Sequence, residues 1–122
     1  MNTQEGLETE FKEFLSRDSS PYFFYIHNSE GIFTYLSENI TQLLGFSPEE
    51  FQTDYLKHIT ANPINKDVIK YTDRCIQGIQ QEPYRLEIYD KKYNKHSLYV
   101  FEKPIFKDEK VIGVKGVAKL LS

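Results

Sequence analysis

Leu43-Leu44-Gly45-Phe46-Ser47-Pro48-Glu49-Glu50-Phe51 is the stretch whose chemistry decides the architecture of this chain. Ser47 is suited to cap a helix, Pro48 to its first turn, and Glu50 to reach back and complete a capping box. Phe46 and Phe51 then flank the cap as a hydrophobic staple, which fixes the angle at which the chain enters the helix. Just upstream, Ser37 can cap a short helix carrying Ile40, Leu43 and Leu44, which Gly45 ends in a left-handed conformation. Two short helices thus meet at a corner set by local interactions.

On the N-terminal side, Tyr22 to His27 is an aromatic and β-branched run that reads as a strand. Asn28-Ser29-Glu30-Gly31 is a turn with glycine where positive φ is needed, and Ile32 to Leu36 returns as a second strand. Such a hairpin is not stable alone. Ser19, Ser20 and Pro21 separate it from an amphipathic helix over Thr3 to Arg17, whose stripe is Leu7, Phe11, Phe14 and Leu15. Glu8 with Lys12, and Glu13 with Arg17, add acid-before-base pairs worth a few tenths of a kcal/mol each. The helix therefore depends on burying its stripe, on its own domain or against a second copy.

On the C-terminal side, a less regular stretch through Tyr55 and Ile59 leads to a longer helix from Pro63 to Gln77, stopped by Gly78. Ile64, Val68, Thr72, Cys75, Ile76 and Ile79 line one side, while Lys66, Lys70, Asp73, Arg74 and Gln77 fall mainly on the other. The rest is β. Tyr84 to Asp90 alternates, Lys92 to Lys95 turns, Ser97 to Phe106 is a long strand, and Asp108-Glu109-Lys110 turns into Val111 to Lys119. Lys115 and Lys119 mark a solvent side, so Val114, Gly116 and Ala118 face inward. Pro104 fits only at an edge or bulge.

The order of elements excludes the regular alternation of a parallel sheet. The economical solution is an α+β fold: a five-stranded antiparallel sheet with its two halves side by side, central helices packed on one face, and a flanking amphipathic helix. Residues 1–18 form that helix and residues 19–122 the domain. The arrangement encloses a cavity.

At 122 residues the chain suits one domain, and its 39% apolar and 15% aromatic content is globular. Its net charge of −3, with basic residues dispersed through every segment, disfavours a nucleic-acid partner. The single cysteine cannot form an internal disulfide, and a secretory leader and an apolar run of the roughly 20 residues that span a bilayer are both lacking. A cytoplasmic location follows as the expectation, without direct membrane contact by this segment, even where its parent protein is membrane-anchored.

Gly31 to Ser37 followed by Leu43 to Phe51 resembles the strand, short helix and "LLGYSPEE" pattern of PAS domains. Glu82-Pro83-Tyr84-Arg85-Leu86-Glu87 and Val111 to Ala118 resemble the later PAS strands, and the similarity runs in order from about Pro21 to Ser122. Three positions depart from the family pattern: the aspartate late in the first strand is replaced near His27-Asn28, the tryptophan of the fourth strand gives way to Ser97 or Leu98, and the usual Asp-Ile-Thr ending reads Lys119-Leu120-Leu121-Ser122. The resemblance implies a non-catalytic sensory module of a bacterial signal-transduction protein. It also implies an output domain beyond the C-terminus, a histidine kinase or a diguanylate cyclase.

Catalytic templates fail: the sequence holds no phosphate-cradling loop, nucleophile elbow or paired-histidine metal motif, and capping explains Glu49 and Glu50. His27, His58 and His96 lie on different elements, none on the long helix that carries the axial ligand in heme-binding members. Cys75 lies late in that helix rather than in the Asn-Cys-Arg-Phe-Leu motif of the flavin-binding light sensors, so it reads as a small buried hydrophobe. Heme and flavin are both disfavoured, and a small organic ligand is the remaining expectation. Its pocket candidates are Tyr25, Tyr35, Leu44, Tyr55, Val68, Thr72, Cys75, Leu86, Ile88 and Val114, with Tyr71, Tyr99 and Phe101 as further aromatics. A packed core accounts for the same residues equally well, and buried tyrosines, which need hydrogen-bond partners, tilt toward a pocket. Leu7, Phe11, Phe14 and Leu15 are the candidate surface for a homodimer. Two alternatives stand beside sensing: a ligand-free interaction domain, and a small enzyme whose pocket carboxylate acts as base, disfavoured because no inward carboxylate is expected on the strands.

Overall fold

The computed structural model describes residues 3–53 and 55–121, excluding the side chains of residues 53, 55 and 56. Its strands are β1 (Tyr22–Asn28), β2 (Phe33–Leu36), β3 (Tyr84–Tyr89), β4 (Lys95–Lys107) and β5 (Lys110–Leu120). They form one antiparallel sheet in the order β2-β1-β5-β4-β3. The central pair, β1 with β5, joins the chain's two β regions, so neither hairpin is left as an isolated two-strand unit. Asn28 to Gly31 turns with Gly31 at φ 84°, and the β4–β5 hairpin turns on Asp108 and Glu109 at φ 52° and 68°. Pro104 lies beyond the last β3 partner of β4, Val100, where the strand has a free side.

The helices are α1 (Thr3–Glu10), α2 (Lys12–Leu15), α3 (Ile40–Leu44), α4 (Pro48–Thr53) and α5 (Val68–Ile76). The helix expected over Thr3 to Arg17 is therefore interrupted, at Phe11 with φ −104° and ψ 16°. The one expected from Pro63 begins as a tight 3₁₀ turn (Pro63–Asp67) before α5. The side chain of Asn62 accepts the Ile64 N–H and caps that turn. Gly45 and Gly78 end their helices at φ 84° and 89°. The capping box is formed as expected: Ser47 Oγ accepts the Glu50 N–H at 3.1 Å, and Glu50 Oε1 accepts the Ser47 N–H at 3.0 Å. Phe46 and Phe51 close the staple with ring centroids 5.7 Å apart. Ser37 does not cap α3; its hydroxyl accepts the Phe24 N–H at 2.8 Å and donates to Asn39, tying the β2–α3 connection to β1.

Both faces of the sheet are covered. The front face packs Phe23, Tyr25, Leu98, Val100 and Ala118 against α3, α4 and α5. On the back face, Leu7, Phe11 and Phe14 cover Phe24, Val117 and Phe101. One expectation changes here. Lys115 and Lys119 do not face open solvent: the back face they share lies under α1 and α2, Lys119 is 1% exposed, and its Nζ donates to the Phe14 carbonyl and to Asp18. Lys115 and Lys103 both donate to the Glu10 carboxylate. Of the two ways the stripe could be buried, on its own domain or against a second copy, the chain shows the first, with Leu7, Phe11 and Phe14 buried on their own sheet and Leu15 packed beside them. The apolar back face of the sheet and the helical stripe bury each other within one chain.

Candidate functional site

The register of three strands builds the site. Tyr25 of β1, Gly116 of β5 and Glu102 of β4 lie in one row across the sheet, pointing to the front face. Gly116 carries no side chain, and a Cβ there would stand 2.3 Å from the Tyr25 ring. The phenol therefore lies flat over β5 and donates to Glu102 Oε2 at 2.7 Å. From β3, Tyr84 donates to Oε1 at 2.8 Å, and from α5, Thr72 donates to the same oxygen at 3.2 Å. His27 brings Nε2 to 4.0 Å from Oε2, while its Nδ1, 2.8 Å from the Asn28 carbonyl, donates to it. Glu102 is 4% exposed, so this carboxylate is an interior group whose partners come from three elements, β1, β3 and α5.

Glu102 corrects the expectation that no strand carries an inward carboxylate. Its signal was available as period-two alternation, since Leu98, Val100 and Glu102 share one face of β4. What masked it is the rule that glutamate sits outside unless paired. Here its partners are tyrosine and threonine hydroxyls from distant segments.

Above the row lies a cavity of about 50 Å³, lined by aromatic and aliphatic groups around Glu102. Of the pocket candidates, Tyr25, Val68, Thr72, Leu86 and Ile88 line it. Leu44, Cys75 and Val114 are buried but outside its lining. Tyr35 belongs to the back face, paired with Ile26 and donating to Gln4 at 2.7 Å, because a register shift after Ile26 sets which β2 residues face forward. Tyr99 and Phe101 also lie behind the sheet, whereas Tyr71 stacks on Tyr84 with centroids 4.6 Å apart. The side chain of Tyr55 falls outside the described residues. Phe33, Phe51, Tyr84 and His27, not singled out as pocket residues from sequence, also belong to the wall.

The cover over this cavity is held by polar bonds to β3. Asn65 donates to the Glu87 carbonyl at 2.9 Å and accepts the Glu87 N–H at 2.8 Å, so a side-chain amide mimics a neighbouring strand. Thr60 donates to the Glu87 carboxylate at 2.7 Å, and this bond is the leading cause of that carboxyl's lowered pKa. α5 then presents Val68, Thr72 and Cys75 inward, as its stripe predicts. Ile64 and Ile79, assigned to the same stripe, are 45% and 52% exposed because they lie outside the regular helix.

Cys75 is fully buried, and burial, followed by the Glu102 charge, pushes its thiol up to about 12. It stays protonated and unreactive. Heme and flavin fit this site poorly. Sites for molecules of drug size occupy ~300–1,000 Å³, several times the cavity found here. His58 packs against the rings of both Phe46 and Phe51, with centroids 4.3 and 5.6 Å away, rather than facing an open axial position. Among the described residues, no three His, Cys, Asp or Glu side chains gather as metal ligands would, and no helix is long and apolar enough to cross a membrane.

No protein-family model matches the sequence, and no curated protein is detectably similar to it. Solved structures are similar in fold. The N-terminal domain of a diguanylate cyclase with PAS/PAC sensor from Marinobacter aquaeolei superposes with a TM-score of 0.72 at 12% identity, over 84% of this chain and 96% of that one. A domain assigned to a light and redox sensing histidine kinase of Haloarcula marismortui gives 0.68 at 13% identity, over 91% and 98%. The LOV protein of Rhodobacter sphaeroides gives 0.67 at 13% identity, over 100% and 69%. The strand order, the helices crossing the front face and these superpositions agree: the chain has the PAS fold.

Proposed function

We propose that this chain is a sensory module without catalysis of its own, which binds a small molecule in the front cavity and passes the change to an output domain of a signalling protein. One observation carries the reading: an interior carboxylate, Glu102, is held by hydroxyls from β1, β3 and α5 at the wall of a cavity. A plain packed core has no use for such a group, since burying a charge is costly. The route outward is short. Lys103, the neighbour of Glu102 on β4, faces backward to Glu10 of α1, and Lys115 on β5 joins it there. A ligand that shifts Glu102 therefore acts one residue away from the ion pairs that hold the flanking helix, and it shifts the balance of states by its difference in affinity for them.

A diguanylate cyclase or a histidine kinase is the output supported by the structural likenesses, and the cytoplasm is the compartment that suits the single free thiol. Pairing of two copies through Leu7, Phe11 and Phe14 would proceed by exchange of α1 and α2 between sheets, because each stripe already fills its own. The small cavity favours a second reading, an interaction domain that binds no ligand. Native mass spectrometry of protein purified from cells separates the two. A retained small molecule, lost on substitution of Glu102, supports sensing; a bare mass from every preparation, together with no saturable response to an added small ligand, rejects it in favour of pairing.

A further inference from the structure

A carboxylate offers about four acceptor positions. Thr72 and Tyr84 take two on Oε1 of Glu102 and Tyr25 takes one on Oε2, leaving one on the side of His27, whose Nε2 at 4.0 Å is beyond hydrogen-bond reach. The three donors are neutral hydroxyls. Among the described residues no lysine or arginine lines the cavity, and the nearby cations of the sheet, Lys103, Lys115 and Lys119, are engaged on the opposite face with Glu10, Phe14 and Asp18. Among the described residues, the interior thus holds a carboxylate hydrogen-bonded by neutral hydroxyls alone, with the His27 ring at 4.0 Å and no lysine or arginine beside it. Around it stand the rings of Tyr25, Phe33, Phe51 and Tyr84, whose faces attract positive charge.

The geometry points to a small primary ammonium ion, of the size of methylammonium or ethylammonium, as the ligand class of this cavity. This deepens the sensory reading and rests on it. The ammonium donates to Glu102 Oε2 and its short alkyl group lies among the rings. Anions are repelled by the same carboxylate, neutral molecules leave its charge uncompensated, and the volume of about 50 Å³ excludes bulky amines. The way in is an outer groove of about 580 Å³ beside Asn62 and Asn65, which shares Ile59 and Val68 with the cavity wall.

The test is a titration followed by amide and methyl NMR shifts, with methylammonium chloride and, at matched ionic strength, methanol, which has the same heavy-atom count and no charge. Saturable shifts at Tyr25, Tyr84, Val68 and Val100 with methylammonium, and none with methanol, are expected. The isosteric Glu102→Gln variant weakens the response by ~10-fold or more, as loss of a charged hydrogen-bond partner requires. Equal binding of methanol, absence of a saturable response to methylammonium in the unmodified protein, or unchanged affinity in a folded Glu102→Gln variant each overturns the assignment. The contrast between the two probes stands on the unmodified protein alone, so it decides even where the variant does not fold. Retention of a neutral or anionic molecule in native mass spectrometry would remove the ammonium while leaving sensing intact; bare protein there together with no response here removes both.

Discussion

Gly116 sits in the middle of the Tyr25, Gly116 and Glu102 row, and the site depends on its having no side chain. A methyl group there meets the Tyr25 ring at 2.3 Å and its hydroxyl at 2.5 Å, so Gly116→Ala must push the phenol off Glu102. Overpacking of this kind costs about 1–3 kcal/mol, read as a lower urea midpoint with unchanged slope. In a Tyr25→Ala background the same substitution meets no ring, and its cost should fall to a fraction of that value. A cost that stays the same in both backgrounds would show that Gly116 serves the backbone rather than the tyrosine. Single residues also mark where the sequence was hard to read. Glu102 and Lys119 are both charged and both almost fully buried, because their partners, Tyr25 and Phe14, come from the far end of the chain. Alternation along β4 and β5 places each on a face, but only the tertiary structure shows that both faces are covered.

Elements held by local chemistry were the most legible. The corner from Gly45 to Phe51 needs only neighbours within a few residues, and its cap, box and staple are all formed. Tyr35 shows the contrary case, since a register shift in the β1–β2 hairpin, invisible in composition, sends it behind the sheet. The hold of α5 over the cavity depends on Asn65, whose amide closes two bonds with the Glu87 backbone. Asn65→Ala leaves those groups to water or unpaired, at about 1–3 kcal/mol. Faster hydrogen exchange confined to residues 60–76 and to β3 would report the loosened cover; uniform destabilisation would argue against a local clasp.

The β3–β4 turn carries an acid-labile contact at the same scale. Burial tends to raise the Asp90 carboxyl, but bonds from His96, from Asn94 and from the Lys92 N–H outweigh it and hold the group at about 2, against an ordinary 3.8. A carboxyl depressed in the folded state contributes stability that is present above its unfolded value and is lost as pH falls through the folded one. About 2 kcal/mol should therefore disappear between pH 3.8 and pH 2. Asp90→Asn should flatten that part of the acid-denaturation profile; an unchanged profile would place the acid sensitivity in other carboxylates.

At the scale of the whole molecule, one sheet serves two covers, and β4 and β5 carry residues for both. Alternate residues of β4 face the cavity and the flanking helices, so α1 and α2 are part of the load on the same strands that hold Glu102. Removal of residues 1–17 would bare Phe24, Phe101 and Val117 together with Lys103, Lys115 and Lys119, which lie under these helices. Phe11 and Phe14 are 1% and 2% exposed, and truncating either to alanine should cost about 3–5 kcal/mol. Complete removal should therefore lower stability further and make the protein associate with increasing concentration, because an apolar sheet face of this size does not stay in water. Sedimentation velocity across a concentration series checks it. A truncated chain that stays monomeric and keeps its urea midpoint would mean that the helices are only loosely seated, and that their stripe is free to meet a second copy after all.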